Sequence, residues 1–373
     1  MIDLFNRYGE QFMQLMLVAL LILTVLVLII AFVRRWQLRN EELYRKNKSE
    51  EISRDVIRYV SGEIEINDVE KILKRQNDYI ILLEQVRLLD KSLEGKENER
   101  LQGLMNLDKI RKHFEKRFDS GDPILQAKAC LYFAKKAEIP VPYIARLVDL
   151  SANKNPLLSY AATSALMAHG GMKHKSIAIK NVLKNQRVSE MAVSDLLVQL
   201  TKYGNEHRDE EAFLFMSLID DKELEPNRTA IIIRILHELE YHSTVDFLLN
   251  YYDKLDLNKT EPEILKAILD ALSKFGREEI IDDIHQKFTR SKEPVIREAA
   301  AKSLGFFRKK ESFPILQTML NDLDYMVRFE AARSLSQYGN VDLKTISPPG
   351  LSDKEWNDLA GEVLAESESH QNN

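Results

Sequence analysis

Residues Glu293–Phe307 read EPVIREAAAKSLGFF, and Asp324–Gly339 read DYMVRFEAARSLSQYG. Both begin with an acidic residue, continue through an apolar–Arg pair and an alanine-rich segment, and end near a glycine. A carboxylate complements the positive end of a helix, and proline suits the first helical position because its missing N–H would have no intrahelical partner there. The near repetition 31 residues apart therefore predicts two copies of one helix in a repeated architecture.

The same helix start recurs along most of the chain. Aligned on the first helical position, the equivalents are 31 to 36 residues apart: Pro123, Pro156, Glu190, Pro226, Pro262, Pro294 and Tyr325. The residues before them carry capping side chains, with Asp, Asn and Ser the better caps: Asp122, Asn155, Ser189, Glu225, Glu261, Glu293 and Asp324. Residues six and ten positions after each start are apolar, which predicts a buried stripe of helical period.

Glycines lie at position +14, counted from the first helical residue, in four copies. A helix commonly ends there in the left-handed conformation that glycine adopts without strain. The sequence therefore predicts left-handed helix ends at four positions: Gly170, Gly204, Gly276 and Gly339.

A second amphipathic stretch lies between successive copies: Tyr143–Leu150, Ser176–Leu183, Glu211–Ile219, Thr244–Leu255, Glu279–Phe288 and Ser312–Leu320. Two helices in each repeat of this length form one layer of an α-solenoid. The fold class predicted for residues 104–346 is therefore all-α, an α-α superhelix of about seven helix pairs.

The last two copies resemble HEAT repeats, particularly the short bacterial form also found in bilin lyases. The resemblance rests on Val327-Arg328 with Ala331, Ala332 and Leu335, and on the matching stretch Glu293–Leu304. Earlier copies keep the apolar columns but lose the Arg. The resemblance implies an armadillo-type superhelix in which the second helix of each pair lines a concave, partner-binding side.

Phe12–Val33 is a run of 22 residues without a charge. As a helix it would be about 33 Å long, enough to cross the hydrocarbon core of a bilayer. A cleaved signal peptide is the alternative. It is disfavoured by Asp3 and Glu10 ahead of the run, by the run's length, and by the lack of a small-x-small cleavage site after it. The sequence predicts a single transmembrane helix over residues 12–33.

Positive charge follows the apolar run in a cluster: Arg34, Arg35, Arg39, Arg45, Lys46 and Lys48. Because such clusters stay on the cytoplasmic side, residues 1–11 are expected outside and the rest in the cytoplasm of a bacterium, at its inner membrane. Residues 34–103 are predicted to be a charged helical linker, with a degenerate repeat near Asp78. Ser352 and Glu355 predict a capping box that opens a final helix over residues 347–366, and residues 367–373 are expected to be disordered. That helix would cap the solenoid end or, as the alternative, bind a partner.

The sequence shows no motif for a catalytic or metal-binding site. His169 and His174 are five residues apart, as are His237 and His242, whereas a metal-binding helical pair needs a spacing of four. The single cysteine, Cys130, falls in an apolar column, which predicts a buried thiol. We therefore expect no catalytic residue, metal or cofactor, and no small-molecule substrate. The net charge of −5 also disfavours a nucleic-acid partner.

Two surfaces are candidate binding sites for a protein. In the first three copies, outward positions are unusually apolar and suit an amphipathic partner helix: Ile124, Ala127, Leu131, Leu157, Tyr160, Met167, Met191 and Val198. The alternative is that this strip is covered by the N-terminal flank. A weaker candidate is a charged column in the later copies, for which a solvated face is the alternative reading: Arg234, Lys266, Lys302 and Arg333.

These features lead to three functional hypotheses. The first is a membrane-anchored cytoplasmic scaffold for protein–protein interaction, by analogy of layout with proteins that accompany envelope or polysaccharide-export glycosyltransferases. The second is a HEAT-like lyase or nucleic-acid-processing enzyme. The third is a structural subunit of a membrane complex that acts through its transmembrane helix.

Overall fold

The computed structural model describes residues 2–371 apart from 91, 94, 136–138, 202–206, 258, 339–342, 344, 345, 347 and 349, and gives no side-chain detail for 2–15, 76 and 367–371. The described part of the chain contains 19 α-helices and no strand. It divides into two compact units. One comprises Met1–Ser120 with Lys135–Ala137, and the other comprises Gly121–Ala134 with Glu138–Asn373.

The first unit contains five helices: α1 (Ile2–Ser61), α2 (Ile66–Ile72), α3 (Gln76–Leu89), α4 (Gly95–Met105) and α5 (Asp108–Phe118). The second half of α1 packs against α2, α3 and α4. Ile52 and Val56 of α1 are fully buried in this core, as is Leu101 of α4. Residues 34–103, predicted to be a linker, thus form much of a packed unit that extends to Ser120, beyond the predicted boundary at residue 104.

Asp78 joins α1 to α3. Its carboxylate is fully buried and accepts hydrogen bonds from the backbone N–H groups of Lys74 (2.9 Å) and Arg75 (2.8 Å) at the start of α3. It also accepts a hydrogen bond from the hydroxyl of Tyr44 in α1 (2.7 Å). The guanidinium of Arg75 lies over the ring of Tyr44. A buried carboxylate needs several donors, and these three supply them.

The amino-terminal part of α1 is apolar and unpacked. The large apolar side chains from Met16 to Val33 are 44–71% exposed, and none of the apolar window of this helix is buried. The core helix of a soluble protein would be mostly buried. This helix is thus the one in the described chain that is long and apolar enough to cross a membrane.

The second unit is a stack of helix pairs with a final helix: α6 (Pro123–Phe133), α7 (Val141–Ser151), α8 (Pro156–His169), α9 (Met172–Lys184), α10 (Glu190–Leu200), α11 (Arg208–Ile219), α12 (Pro226–Glu238), α13 (Val245–Asp253), α14 (Pro262–Lys274), α15 (Ile281–Gln286), α16 (Pro294–Phe307), α17 (Ser312–Met319), α18 (Tyr325–Ser336) and α19 (Asp353–Gln371). Helices α6, α8, α10, α12, α14, α16 and α18 pack consecutively and form what we call the even-helix layer.

The seven helices of this layer begin at the seven residues that the sequence predicted as helix starts, so these predictions are confirmed. The region Glu279–Phe288 is broken into short 3₁₀ and α segments instead of one helix.

The capping pattern follows the chemistry of the side chains. Asp122, Asn155 and Ser189 each accept hydrogen bonds from backbone N–H groups of the first turn, and so does Asp324. The three glutamates at the same position (Glu225, Glu261 and Glu293) make no such bond. The shorter side chains therefore cap their helices directly, as predicted.

Close packing of the even-helix layer explains the alanines and glycine of the opening motif. Every residue at positions +6 and +10 is fully buried: Ala129, Ala162, Leu196, Ile232, Ile268, Ala300 and Ala331, with Phe133, Leu166, Leu200, Leu236, Leu272, Leu304 and Leu335. A Cβ atom on Gly305 of α16 would lie 2.4 Å from Oγ of Ser334 and 3.1 Å from its Cα in α18. The Ser334 hydroxyl donates to the carbonyl of Ala301 (2.8 Å), so the two helices touch through small residues.

The left-handed conformation does occur at position +14, but not only at glycines. Gly276 has φ +72°, as predicted, and the equivalent residues Glu240 and Arg308 have φ +56° and +52°. Gly170 was expected to be left-handed, and this is wrong: it has φ −75° and ψ 144°. At Gly170 the chain turns directly into α9 from an extended conformation. Gly204 and Gly339 lie outside the described residues.

Helix α19 covers the end of the stack against α18. The predicted capping box is present, because the Ser352 N–H donates to Oε2 of Glu355 (2.9 Å) while the Glu355 N–H donates to Oγ of Ser352 (3.4 Å). Trp356 is buried, and its indole N–H donates to the carbonyl of Leu343 (3.1 Å). The helix continues to Gln371, so the tail predicted to be disordered is helical over residues 367–371.

Candidate functional site

Three residues of the apolar strip form an exposed row in the even-helix layer. Ile124, Leu157 and Met191 each occupy the second position of their helix, and they are 53%, 46% and 83% exposed. Their helices α6, α8 and α10 are stacked neighbours. At a typical interaxial distance of about 9 Å, the row extends over roughly 20 Å. The strip is thus an apolar row at the amino-terminal ends of three helices.

The other five predicted members of the strip divide into two groups. Leu131, Tyr160 and Val198 are half-buried. Ala127 and Met167 are fully buried, so their prediction as outward-facing residues is wrong. They occupy positions +4 and +11 of their helices, which share a helix flank because they are seven residues apart. In a close-packed stack the neighbouring helix of the layer covers that flank.

Polar bonds interrupt the strip between α8 and α10. The Tyr160 hydroxyl donates to Oδ2 of Asp195 (2.5 Å), which also accepts from the Gln199 amide (2.7 Å). Ser164 donates to the amide oxygen of Gln199 (2.8 Å). Tyr160 is therefore engaged within the stack, and the exposed apolar row is narrower than the sequence predicted.

The charged column in the later copies is a ladder of internal ion pairs. Lys266 of α14 lies 2.8 Å from Glu298 of α16, and Lys302 of α16 returns to Asp270 of α14 at 3.2 Å. Farther along, Arg333 lies 3.1 Å from Glu330, whose pKa is raised by burial and lowered less strongly by Arg333 and Lys302. Arg234 is exposed and outside the ladder. The stack itself pairs three of the four cations, Lys266, Lys302 and Arg333, which leaves little net charge for an acidic partner.

A buried polar cluster was missed by the sequence reasoning. Glu211 of α11 accepts the hydroxyl of Tyr241 (2.5 Å), and Arg208 lies over the Tyr241 ring at 4.6 Å while donating to the carbonyl of Leu239 (2.6 Å). Burial raises the pKa of Glu211 and lowers that of nearby Lys175. Glu211 and Lys175 lie four residues before Phe215 and Ile179, at positions of the apolar stripe of their helices. A charged residue at a stripe position is the sequence signal that could have predicted this cluster.

The single cysteine, the most reactive side chain type in the sequence, lies in surroundings typical of a structural residue. Cys130 is fully buried, which raises the pKa of its thiol to about 12. Such a thiol is a poor nucleophile at neutral pH. Among the residues with described positions, no three His, Cys, Asp or Glu side chains converge in a way that could hold a metal ion.

Comparison with known families agrees with this architecture. Residues 281–347 match the sequence profile of HEAT repeats. The match begins at α15, extends past α18, and covers the two copies in which the Val/Ile–Arg pair occurs. No curated protein shows significant sequence similarity to the chain. The match and the all-helical stack together support a HEAT-repeat protein, a class whose solenoids typically serve as protein-interaction scaffolds and are typically non-catalytic.

Proposed function

We propose that this protein is a membrane-anchored scaffold whose HEAT-repeat stack binds an amphipathic helix of a membrane-associated protein partner in the cytoplasm. The observation that carries the proposal is the exposed row of Ile124, Leu157 and Met191 on three successive helices. Apolar side chains at regular intervals along stacked helices suit the apolar face of a helix laid across them.

The apolar part of α1 supports the anchoring. In water, its contiguous exposed apolar surface would be strongly unfavourable, whereas a bilayer would cover it. The cations that follow the run favour retention of the two folded units in the cytoplasm, with residues 1–11 outside the inner membrane. Confinement to a surface would raise the effective concentration for partners on the same membrane, such as an envelope or polysaccharide-export complex.

The apolar row is tested by affinity capture from solubilised membranes with full-length protein carrying Leu157→Glu and Met191→Glu. We expect loss of the proteins that co-purify with the wild type, because burying a carboxylate in an apolar interface is costly. The matched control is Phe213→Glu, which adds a carboxylate at an apolar side chain of α11 that is 71% exposed. An unchanged set of partners in the double variant would eliminate the row as a binding site.

The anchor is tested by fractionation. The full-length protein should remain with membranes after washing at high salt and high pH, and Leu26→Arg should weaken this retention, because arginine at the centre of a span costs about 3 kcal/mol. Recovery of the wild type in the soluble fraction would contradict the anchor. Orientation is tested by attaching a reporter that is active only in the cytoplasm to the carboxyl terminus, where we expect activity.

The exposed apolar side chains from Met16 to Val33, none of them buried, also favour a second candidate, in which the span itself makes the decisive contact within a membrane complex. Replacing residues 12–33 with an unrelated span of equal length separates the two functions. Normal partner capture after replacement supports the scaffold, and loss of capture with intact membrane retention supports the structural subunit.

A further inference from the structure

A polar cleft of about 460 Å³ lies at the loops that join α7 to α8 and α9 to α10. Its lining includes three cations, Lys154, Lys184 and Arg187, and no carboxylate. The volume lies in the range of small-ligand pockets. Lys154 and Arg187 come from equivalent loops of two successive layers and Lys184 is the last residue of α9, so the stacking of the repeats brings the three cations together.

The hydrogen-bonding capacity of the cleft is biased toward donors. The amide oxygen of Asn153 accepts the N–H of Asn155 (2.9 Å), and that of Asn185 accepts the N–H of Arg187 (3.2 Å). Asn185 also donates to the carbonyl of Asn153 (3.0 Å). Within the part of the chain that the structure describes, the amide nitrogen of Asn153 and the side chains of Lys154 and Arg187 have no hydrogen-bond or ion-pair partner. Groups that only accept, such as carboxylates, match this set.

The rim of the cleft already binds carboxylates. Lys184 lies 2.6 Å from Oε2 of Glu223, and Gln186 donates to Oε1 of Glu225 (2.5 Å), both from the loop before α12. The side chains of the Lys184–Glu223 pair are 47% and 77% exposed. Exposed pairs of this kind contribute little stability, so a competing carboxylate can replace Glu223 at small cost. These two contacts with the next layer show that donors at the rim of the cleft bind carboxylates.

We propose that this cleft binds an acidic peptide segment of a protein partner, with its carboxylates at Lys154 and Arg187 and near the amide of Asn153. The proposal relies on the proposed scaffold function only for the choice of a peptide as the ligand. Its residues differ from those of the apolar row (Ile124, Leu157 and Met191), and they lie in the loops that precede two of the same helices, α8 and α10. One partner would then make two types of contact, with an apolar helix at the row and an acidic segment at the cleft.

The test measures binding of a fluorescent Gly/Ser peptide that carries several glutamates to the full-length protein in neutral detergent at low salt. The comparison peptide has glutamine at each glutamate. We expect the acidic peptide to bind more tightly, Lys154→Gln with Arg187→Gln to weaken it about 2- to 30-fold, and added salt to weaken it further. The matched control is Lys292→Gln with Lys310→Gln, which removes the same charge at two exposed sites in later copies.

Equal binding of the two peptides, or equal losses in the cleft variant and the control, would overturn the proposal. Inorganic pyrophosphate and a short single-stranded DNA form two further arms. If either binds through Lys154 and Arg187 while the acidic peptide does not, the assignment to a peptide is overturned. If all arms fail while membrane capture still depends on Leu157 and Met191, the scaffold function stands and only the cleft assignment is lost.

Discussion

Arg297 and Asp322 form a bidentate ion pair between two successive layers of the stack. Nε of Arg297 lies 2.7 Å from Oδ2 of Asp322, and Nη2 lies 2.8 Å from Oδ1. Nη1 of the same arginine donates to the carbonyl of Ser291 (2.8 Å) in the connection that precedes α16. Because the two side chains are only 15% and 13% exposed, solvent screens them weakly. Arg297 therefore joins its layer to the next one.

Replacing Arg297 with methionine is expected to lower the free energy of unfolding by about 2 kcal/mol at neutral pH, because charge-assisted hydrogen bonds are lost. Burial raises the pKa of Asp322, but hydrogen bonds from Arg297 and the Asp324 N–H outweigh it, and the net pKa lies below the ordinary value of 3.8. The pair therefore stabilises the protein fully above the unfolded-state pKa and is lost as pH falls through the folded-state pKa. Thermal unfolding at neutral pH and near pH 3 measures both effects.

The control for this experiment is Arg328→Met. Nη1 of Arg328 donates to the carbonyls of Asp322 (2.8 Å) and Leu323 (3.1 Å), and none of the described carboxylates forms an ion pair with Arg328. Its loss should lower stability with a weaker pH dependence. If the Arg297 variant shows no greater loss at neutral pH than at pH 3, the ion pair does not stabilise the stack.

The left-handed residues at position +14 predict that glycine is preferred where the chain has Arg308. A non-glycine residue at φ +52° is strained by its Cβ, so Arg308→Gly should raise the free energy of unfolding by about 0.5 kcal/mol, after the greater entropy of the unfolded glycine is subtracted. The reverse change, Gly276→Ala, should lower it by about 1 kcal/mol. Nothing lies within 4 Å of a Cβ at Gly276, so backbone strain alone would cause this loss. Equal stability of Gly276→Ala and wild type would refute the assignment.

The contact of Gly305 with Ser334 predicts a packing defect when a methyl group is added. Gly305→Ala should destabilise the protein by about 1–3 kcal/mol, because the methyl group would meet Oγ and Cα of Ser334. Hydrogen exchange should increase locally in α16 and α18, since each layer of a solenoid contacts only its neighbours. Gly361→Ala in α19, where nothing lies within 4 Å of the new Cβ, should be neutral or stabilising. Similar exchange in the two variants would contradict close approach at Gly305.

The repeat made the even-helix layer predictable from sequence. A start such as Pro156 combines a cap, a proline and an apolar stripe, and these local signals agree with the fold. The exposure of individual side chains was harder to predict, because it depends on the helices of the adjacent copies. Met167 appears outward in sequence but lies in a covered flank, and Tyr160 is bonded to Asp195 from the next copy. Spacing cannot show which side chain the adjacent layer supplies.

The first unit was difficult to predict for a related reason. In α1, Ile52, Val56 and Val60 repeat every four residues, but abundant charges around them led to the prediction of a charged helical linker. The buried Arg228 also escaped notice. It lies one position before the expected Arg of its copy, and Nη2 donates to the carbonyl of Val188 (2.5 Å). Because of this shift, an alignment of the copies by column does not reveal that Arg228 contacts a neighbouring copy.

The continuity of α1 predicts a rigid connection between the apolar span and the first unit. Helix α1 runs unbroken through Ser61, and its side chains from Ile52 onward belong to the core of that unit. Spin labels at Arg35 and Glu50, both exposed, are 15 residues apart and should give a narrow distance distribution near 22 Å, at about 1.5 Å per residue. Pulsed dipolar spectroscopy of the full-length protein in lipid nanodiscs measures this distance.

The control is the same labelled pair with Asn40→Pro, which removes a helical hydrogen bond and kinks the helix between the labels. The distribution should broaden or shift in this variant. Cys130 is buried, so labelling of the unsubstituted protein should be slow and provides the background. A wild-type distribution as broad as that of the proline variant would mean that the first unit is flexibly tethered. A narrow one fixes its height above the bilayer and restricts its partners to that distance from the membrane.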